Sequence, residues 1–307
     1  MNKMIKVIQK NRPHLAISSA KTYVSIIRNL GAQIEKDLST PEKVVQNTDA
    51  IINHYKDLDP KLRKTRLAAL IVFLDGKSHA PDGADDSIML FRRQMMKDKD
   101  DYAEELKNQE KTDKQKDGWM DWDEIVANYK ALEKEVSYFK TQTNLNKNQF
   151  KRVQIFVLLS CLLLIPPRRS LDFTAFRIRN EDENTDNYMS VKGRKAYFVF
   201  NTYKTAKKYG RETVEIPTAL KNIILRWKLI NKSDYLLLNS NMTKKINPTQ
   251  LNMLLYDYYN RPLSTSLLRH IFLTEKYGNV PALKEMEKTA HDMGHSVGQA
   301  LEYVKKD

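Results

Sequence analysis

The spacing of apolar residues divides the chain into a first part that is helical throughout and a second part in which helices flank a few strands. In the first part apolar residues recur with the helical period, and glycine, proline or a capping residue stands at the boundaries. The predicted helices cover residues 18–30, 41–46, 49–58, 60–74 and 84–110. We therefore predict a compact all-helical domain over residues 1–110.

The second part begins after residues 111–118, which have no apolar side chain and predict a flexible linker. Residues 119–140 then have a helical apolar face, whereas residues 188–216 change to the pattern of three short strands joined by basic turns. Further helices are predicted over residues 217–230, 248–259, 265–276, 281–293 and 297–304. The predicted fold class is mostly α with a small antiparallel β-sheet (α+β), with a second domain over residues 119–307.

The most apolar stretch of the chain, residues 153–165, is interrupted by only two polar side chains and predicts a helix buried on all sides. It is too short to cross a bilayer. Pro166 and Pro167 end it, because Pro167 lacks a backbone N–H and restricts the residue before it. Arg168 and Arg169 follow directly, so an anionic partner is expected there to offset the desolvation of their guanidinium groups. The alternative is a surface turn whose arginines face water.

The net charge narrows the class of partner. The 307 residues carry a formal charge of +14, mostly from residues 111–307, which favours a polyanion such as nucleic acid over an anionic membrane. The single cysteine, Cys161, excludes an intramolecular disulfide, and the sequence shows no signal peptide, so an intracellular, soluble protein is expected. Basic residues at the start of the helix at 60–74 oppose its dipole and are expected to face phosphates. They are Lys61, Arg63, Lys64 and Arg66.

A second basic site is predicted at the turn between the second and third strands. Lys204 stands at the end of the most apolar strand, and Lys207, Lys208 and Arg211 follow within the same turn. Basic side chains in such a turn can contact the phosphates of a polyanion. The ordinary alternative is a solvated hairpin turn.

The C-terminal helices supply the remaining candidates. Ser266, Arg269 and His270 lie on one predicted helix, His295 follows the glycine that ends the next helix, and Tyr303 lies on the last. Arginine and histidine side chains can donate to the oxygens of a phosphate. This part of the sequence therefore adds further candidate phosphate ligands and one tyrosine on the last helix.

Taken in chain order, these residues resemble the catalytic set of the tyrosine recombinase (phage integrase) family. The family's first catalytic arginine stands three residues before an acidic residue, as Arg169 stands before Asp172. Its H-x-L-R-H pattern is matched by Leu268-Arg269-His270, and its leucine–glycine–histidine corner by Met293-Gly294-His295. The motifs cover about Ile165 to Tyr303, and the order of a helical and a mixed domain is similar over the whole chain.

Two positions depart from the family pattern. Ser266 stands where the family usually has a histidine, and the interval from His295 to Tyr303 is one residue shorter than the commonest spacing. A serine can donate a hydrogen bond to a phosphate but cannot carry a charge, so the first departure affects acid–base chemistry. The second departure concerns the identity of the nucleophile.

The resemblance implies a site-specific DNA recombinase or integrase of a virus or mobile element. Residues 1–110 would be its helical core-binding domain, which binds DNA, and residues 119–307 its catalytic domain. It would cleave and rejoin double-stranded DNA through a 3′-phosphotyrosine without metal or cofactor, as a homo-oligomer (dimer to tetramer) on DNA and with no membrane. The implied catalytic residues are Arg169, Lys204, Arg269, His295 and Tyr303, and the supporting residues are Asp172, Ser266 and His270.

Two other functions remain open. A type IB topoisomerase-like enzyme resembles the same catalytic domain but only nicks, swivels and reseals DNA. A DNA-binding relative with weakened catalysis would account for Ser266. A recombinase must bring two DNA sites together, so assembly of protomers on DNA separates it from a topoisomerase. Covalent capture of DNA separates both enzymes from an inactive relative.

Overall fold

The computed structural model describes residues 3–107, 110–278, 283–292 and residue 297. Over these residues the protein is mostly helical with one three-stranded antiparallel sheet, which confirms the predicted fold class. The chain divides into two compact units, one containing residues 1–110 and 282–307 and the other residues 111–281. None of the described helices is long and apolar enough to span a lipid bilayer.

The first unit consists of short helices around one apolar core, in which Ile8, Ile27, Phe73 and Phe91 are fully buried. Pro60 occupies the first position of the fifth helix, where its missing N–H costs no hydrogen bond, and the Asp59 side chain caps the same end. The helices are α1 (Lys3–Asn11), α2 (Ile17–Gln33), α3 (Pro41–Gln46), α4 (Thr48–Tyr55), α5 (Pro60–Leu74) and α6 (Ala84–Lys107). Only α1 has no counterpart among the predicted helices.

Arg63 is buried, and the prediction that it faces phosphates is wrong. Its Nε donates to Asp98 Oδ2 at 2.9 Å, its Nη2 donates to Asp98 Oδ1 at 2.6 Å, and its Nη1 donates to the Tyr55 carbonyl oxygen at 3.0 Å. Helical spacing explains this burial, because Arg63 lies one turn before Leu67 on the face of α5 that packs in the core. Arg63 therefore links α5 to α6 and is not available to a ligand.

The second unit is organised around α9 (Lys147–Leu163), whose residues from Val153 to Leu162 are all buried. The helix begins earlier than predicted because Asn146 and Gln149 form a capping box. Its buried polar side chain Gln154 accepts from the Leu238 N–H at 2.8 Å and donates to the Leu238 carbonyl oxygen at 3.0 Å. The polar positions of this apolar helix are thus hydrogen-bonded inside the core.

Helices and strands surround α9. The helices of this unit are α7 (Asp113–Gly118), α8 (Trp122–Glu135), α10 (Ser170–Thr174), α11 (Ala206–Tyr209), α12 (Thr218–Ile230), α13 (Pro248–Tyr259) and α14 (Thr265–Tyr277). The strands are β1 (Tyr188–Lys192), β2 (Lys195–Phe200) and β3 (Glu212–Ile216), in the order β1-β2-β3. The remaining described helix, α15 (Leu283–Asp292), falls in the sequence range that groups with the first unit.

The sheet packs on α10 and the residues that follow it through a cluster of phenylalanines. In β2 the alternating residues Phe198 and Phe200 are buried, and β2 pairs with both neighbours, with Phe198 opposite Met189 on β1 and Val214 on β3. Phe198 contacts Phe176 edge to face with the ring centres 4.9 Å apart, and Phe200 contacts Phe173 at 6.1 Å. These contacts hold the start of the β2–β3 connection close to α10.

Within residues 111–118, which were predicted to be a flexible linker, residues Asp113–Gly118 form α7. Thr112 and Gln115 make a capping box at its start. At its end Gly118 is buried, and a Cβ there would lie 2.6 Å from the Pro262 carbonyl oxygen. The capping pattern is visible in the sequence, but a segment without apolar residues shows no helical period. Of the described residues in the predicted second domain, 283–292 fall in the range that groups with the first unit.

We predict that Asp98→Asn destabilises the first unit by about 3–5 kcal/mol, because it leaves the buried guanidinium of Arg63 without its counter-charge. Urea denaturation followed by circular dichroism at pH 7 measures the loss. Asp37→Asn is the matched control, since Asp37 pairs with Lys43 in solvent and its removal should leave the midpoint near that of the wild type. Equal midpoints for the two variants would contradict a stabilising role for the buried pair.

The same pair predicts a pH dependence. Burial raises the pKa of Asp98, but the hydrogen bonds from Arg63 and Gln94 outweigh it, and the pKa lies below its usual value. A carboxylate with a lowered folded-state pKa contributes stability above its unfolded pKa and loses it as the pH falls through the folded pKa. The difference in stability between wild type and Asp98→Asn should therefore shrink in acid.

Candidate functional site

The site lies where the chain leaves α9 and enters α10. Pro167 is buried after the end of α9, and Arg168 and Arg169 lie between it and the first residue of α10, Ser170. Arg169 is the N-cap residue of α10, in an extended backbone conformation. Both arginine side chains are partly buried. The core helix thus delivers two cationic groups to the edge of the core, as its sequence predicted.

Helix α14 is attached to the same place by its first residue. The Ser170 N–H donates to Thr265 Oγ1 at 3.2 Å, and the Thr265 N–H donates to Asn252 Oδ1 on α13 at 3.1 Å. The Ser264 side chain caps α14 by accepting from the Leu267 N–H at 3.1 Å. Because the N-terminal ends of α10 and α14 are joined in this way, residues one turn along α14 are brought near Arg169.

Arg269 is the residue of α14 that this arrangement brings in. Burial, with a further contribution from the charge of Arg169, lowers the pKa of the Arg269 guanidinium, while the carboxylate of Asp172 opposes the shift. An arginine keeps its proton in spite of such a shift, so two cationic groups repel each other here. Among the described residues, neither the Arg169 nor the Arg269 side chain has a hydrogen bond or an ion pair within 4 Å.

Arg168, unlike Arg169 and Arg269, is paired with acidic side chains. Its Nε donates to Asp172 Oδ2 at 2.9 Å, and its Nη2 donates to Glu212 Oε2 at 3.0 Å. Burial lowers the pKa of Arg168, but the hydrogen bond to Glu212 and the charge of Asp172 outweigh it and raise the pKa. We refer to Arg168, Arg169, Arg269 and Asp172 together as the arginine site.

Asp172 pairs with Arg168, four residues before it, whereas its spacing from Arg169 is the one that matches the family motif. The reason is local: Arg168 lies outside the single turn of α10, so its long side chain can fold back over the helix to reach Asp172. Burial raises the pKa of Asp172, and the ion pair with Arg168 opposes this. Asp172 Oδ1 is buried and accepts no hydrogen bond from the described part of the chain.

Lys204 lies in the β2–β3 connection, and its side chain is exposed. Tyr203, directly before it, is buried, and its hydroxyl donates to the Gly210 carbonyl oxygen at 2.9 Å, which closes the connection around α11. Lys207 and Lys208 are also exposed. The neighbouring Arg211 donates to the Tyr188 hydroxyl at 2.8 Å.

Ser266 and His270 are one turn apart on α14, and both are exposed. Helical spacing places both residues on the side of α14 that also carries Arg269. His295 and Tyr303 lie outside the described residues. The structure therefore brings Arg169 and Arg269 together and leaves the position of the candidate nucleophile as a prediction.

The remaining basic residues of α5 differ in their surroundings. Lys61 and Lys64 are exposed, whereas the guanidinium of Arg66 lies 5.5 Å from the ring centre of Tyr55. With Arg63 buried, the surface of α5 is less basic than its sequence implied.

A basic surface that the sequence analysis did not single out lies on α1 and α2. No acidic residue occurs before Glu35, so both helices carry only positive charges. Two open clefts of about 820 and 390 Å³ border α2 and share the exposed side chain of Arg28. Lys3 and Lys36 line the first cleft, and Lys21 lines the second. The run without acidic residues was the signal that could have identified this surface.

Comparisons with known proteins add one finding. No protein-family model matches the chain, and no curated protein matches it. Among solved structures the chain is similar to the XerH site-specific recombinase bound to difH substrate in a pre-cleavage complex. The match covers 99% of this chain and 91% of that chain, with 10% sequence identity and a TM-score of 0.40. The residues of the site are therefore judged on their own geometry.

Proposed function

We propose that the protein cleaves and rejoins DNA strands as a site-specific recombinase of the tyrosine recombinase type. The observation that carries this proposal is the convergence of Arg169 and Arg269 where α10 meets α14. Both are partly buried, their charges repel each other, and no described group pairs with either. Two like charges held together weaken the fold unless an anion binds between them. A phosphate is the anion whose oxygens two guanidinium groups can bind at once.

The reaction makes use of such a pair. When a tyrosine oxygen attacks a phosphodiester, negative charge builds up on the non-bridging oxygens of the phosphorus. Arginines that already stand at those oxygens stabilise the transition state without reorganising, and a donor of this kind contributes roughly 10²–10³ in rate. The partial burial of Arg269 strengthens the effect, because solvent screens its charge less.

The proposed chemical step is balanced without an external reagent. The Oη–P bond of Tyr303 forms, the P–O5′ bond breaks, and the leaving 5′ oxygen takes a proton from Lys204. The proton of Tyr303 passes to His270 or to water, and His295 donates to a phosphate oxygen. The reverse attack by a 5′-hydroxyl restores the diester, and the phosphotyrosine conserves the energy that rejoining needs. The step therefore requires neither metal nor ATP.

The rest of the DNA is held, in this proposal, by positively charged surfaces away from the scissile phosphate. Lys207 and Lys208 extend the site along the β2–β3 connection. On the first unit we assign this role to Lys61, Lys64 and Arg66 and to the basic face of α2, with Lys21 and Arg28 exposed on it. Strand exchange between two sites requires protomers that assemble on DNA, as a dimer to tetramer. The protein then acts where that DNA resides, on the genome of a virus or mobile element.

A DNA-binding relative with weakened catalysis is the second candidate function. Ser266 favours it, because an exposed serine next to the arginine site reaches less far than a histidine and cannot exchange a proton near neutral pH. The two candidates share their DNA affinity and differ in whether a covalent intermediate forms.

We predict that Tyr303→Phe abolishes covalent attachment to DNA and leaves DNA affinity nearly unchanged, because only the attacking oxygen is removed while binding depends on phosphate contacts elsewhere. Denaturing electrophoresis of protein incubated with nicked, labelled DNA detects the adduct, and filter binding measures the affinity. Persistent adduct formation by the variant would show that another residue is the nucleophile.

Substitutions of Arg269 and Ser266 on α14 should differ in their effect on the rate of DNA cleavage. Arg269→Ala should slow single-turnover cleavage by at least about 10²-fold, as loss of a charged transition-state donor does. Ser266→Ala should slow it by about tenfold, on the scale of one neutral hydrogen bond. Saturating DNA removes binding from the comparison. Equal losses would make Ser266 a full member of the catalytic set, and no loss for Arg269→Ala would exclude the assignment.

The α2 surface should appear in the salt dependence of DNA binding. Each phosphate contact contributes about 0.9 to the slope of log affinity against log salt, so Lys21→Ala with Arg28→Ala should lower the slope by about 1.8. Lys43→Ala is the control, since Lys43 is paired with Asp37 and its loss should leave the slope unchanged. An unchanged slope for the double variant would remove α2 from the DNA-binding surface.

A further inference from the structure

Arg168 occupies a place where three segments of the second unit meet. Its guanidinium is bonded to Asp172 on α10 and to Glu212 at the start of β3, and its side chain is only 16% exposed. The same guanidinium lies 3.9 Å from the ring centre of Phe200, the last residue of β2, and 5.5 Å from that of Tyr203. One side chain thus contacts α10 and both strands that flank the β2–β3 connection.

These contacts engage Nε and Nη2 of Arg168 and one face of its guanidinium. A planar guanidinium can bridge two carboxylates and stack on a ring at once, which a lysine cannot do. Asp172 is buried, so if Arg168 moved away, the carboxylate of Asp172 would be left unpaired in the core. Arg168 is therefore committed to internal contacts, although it stands directly before Arg169.

The two ends of the β2–β3 connection are attached to α10 by different side chains. At the β2 end the Asn187 side chain accepts from the Thr202 N–H at 2.8 Å and donates to the carbonyl oxygens of Thr202 at 2.8 Å and Asp172 at 2.9 Å, whereas at the β3 end Glu212 is bonded to Arg168. The Tyr203 hydroxyl closes the connection internally by its hydrogen bond to Gly210, and α11 within it has no buried residue. The position of Lys204 relative to α10 is thus fixed by Asn187 before it and by Arg168 at the base of the connection, where Phe200, Tyr203 and Glu212 meet the guanidinium.

We propose that Arg168 is a positioning residue that holds the β2–β3 connection against α10, so that Lys204 stands at the leaving oxygen while Arg169 binds the phosphate. This inference rests on the proposed function for the roles of Lys204 and Arg169. Asp172 and Glu212 are the two anchors of Arg168, one inside the core and one at its edge, where the Glu212 side chain is 44% exposed.

A change of leaving group can show whether a variant is slow because Lys204 is misplaced or because the structure is generally disturbed. In cleavage the P–O5′ bond breaks and a proton moves from Lys204 to the 5′ oxygen. If sulfur replaces that oxygen, the leaving group departs as a thiolate, because a thiol has a pKa of about 8.5 and needs no proton from the enzyme. A variant that acts only through Lys204 should therefore be rescued by the sulfur substrate.

The test uses Glu212→Ala, because Arg168→Ala would leave Asp172 buried without its partner and would endanger folding. Glu212→Ala should slow single-turnover cleavage of the ordinary substrate by roughly tenfold, a part of the 10²–10⁴-fold that a general acid contributes. With the sulfur substrate, Glu212→Ala and Lys204→Ala should both return to near the wild-type rate, whereas Arg269→Ala should remain slow. Glu215→Ala is the matched control on the same strand, where Glu215 pairs with Lys195, and its rate should be unchanged on both substrates.

Amide hydrogen exchange tests whether Arg168 holds the β2–β3 connection in place, and it does not depend on catalytic activity. Glu212→Ala should speed the exchange of the backbone amides of Lys208, Tyr209 and Gly210, which donate within the connection, and should leave those of β1 unchanged. Unchanged exchange, an unchanged rate on the ordinary substrate, or a slow rate that sulfur does not relieve would each overturn the inference. A wild-type protein that cleaves neither substrate would overturn the proposed function instead, and the exchange result would then decide on Arg168 alone.

Discussion

The arrangement of this protein depends on an electrostatic imbalance at the edge of a core. Three guanidinium groups and one buried carboxylate share the arginine site, and the carboxylate is paired with Arg168. Arg169 and Arg269 are left with each other's repulsion in a partly desolvated place. Such a site is unfavourable for folding when it is empty and favourable for binding an anion, so its position in the fold is best explained by what it binds.

The surrounding helices and strands hold the unpaired Arg169 and Arg269 in position. Helix α9 is buried over its apolar length and ends at two prolines, which fixes where the arginines leave the core. The bond from Ser170 to Thr265 attaches α14, and the phenylalanine cluster attaches the sheet. Rigid elements therefore hold each of the two unpaired arginines from a different side. This is the arrangement expected of a preorganised phosphate site.

The helices and strands were largely predictable, because proline, capping residues and apolar periodicity mark their ends, as Asp59-Pro60 does for α5. The pairing of charged side chains was not. The sequence did not indicate that Asp172 pairs with Arg168, which reaches it across the short α10. Arg63 was predicted to be a surface charge, but it forms a buried ion pair with Asp98, which is distant in sequence. Which charged side chains pair with each other depends on contacts between helices and strands. The periodicity within a single helix or strand carries no information about those contacts.

In the proposed reaction Arg169 and Arg269 act on the negative charge of one phosphate. The most direct test compares single-turnover cleavage by wild type and Arg269→Ala on DNA whose scissile phosphate is either an ordinary diester or a neutral methylphosphonate. Arg269→Ala should be at least about 10²-fold slower than wild type on the diester, and this penalty should fall towards unity on the methylphosphonate, since the charge that the arginine offsets is then absent. An equal penalty on both substrates would show that Arg269 does not act on that charge.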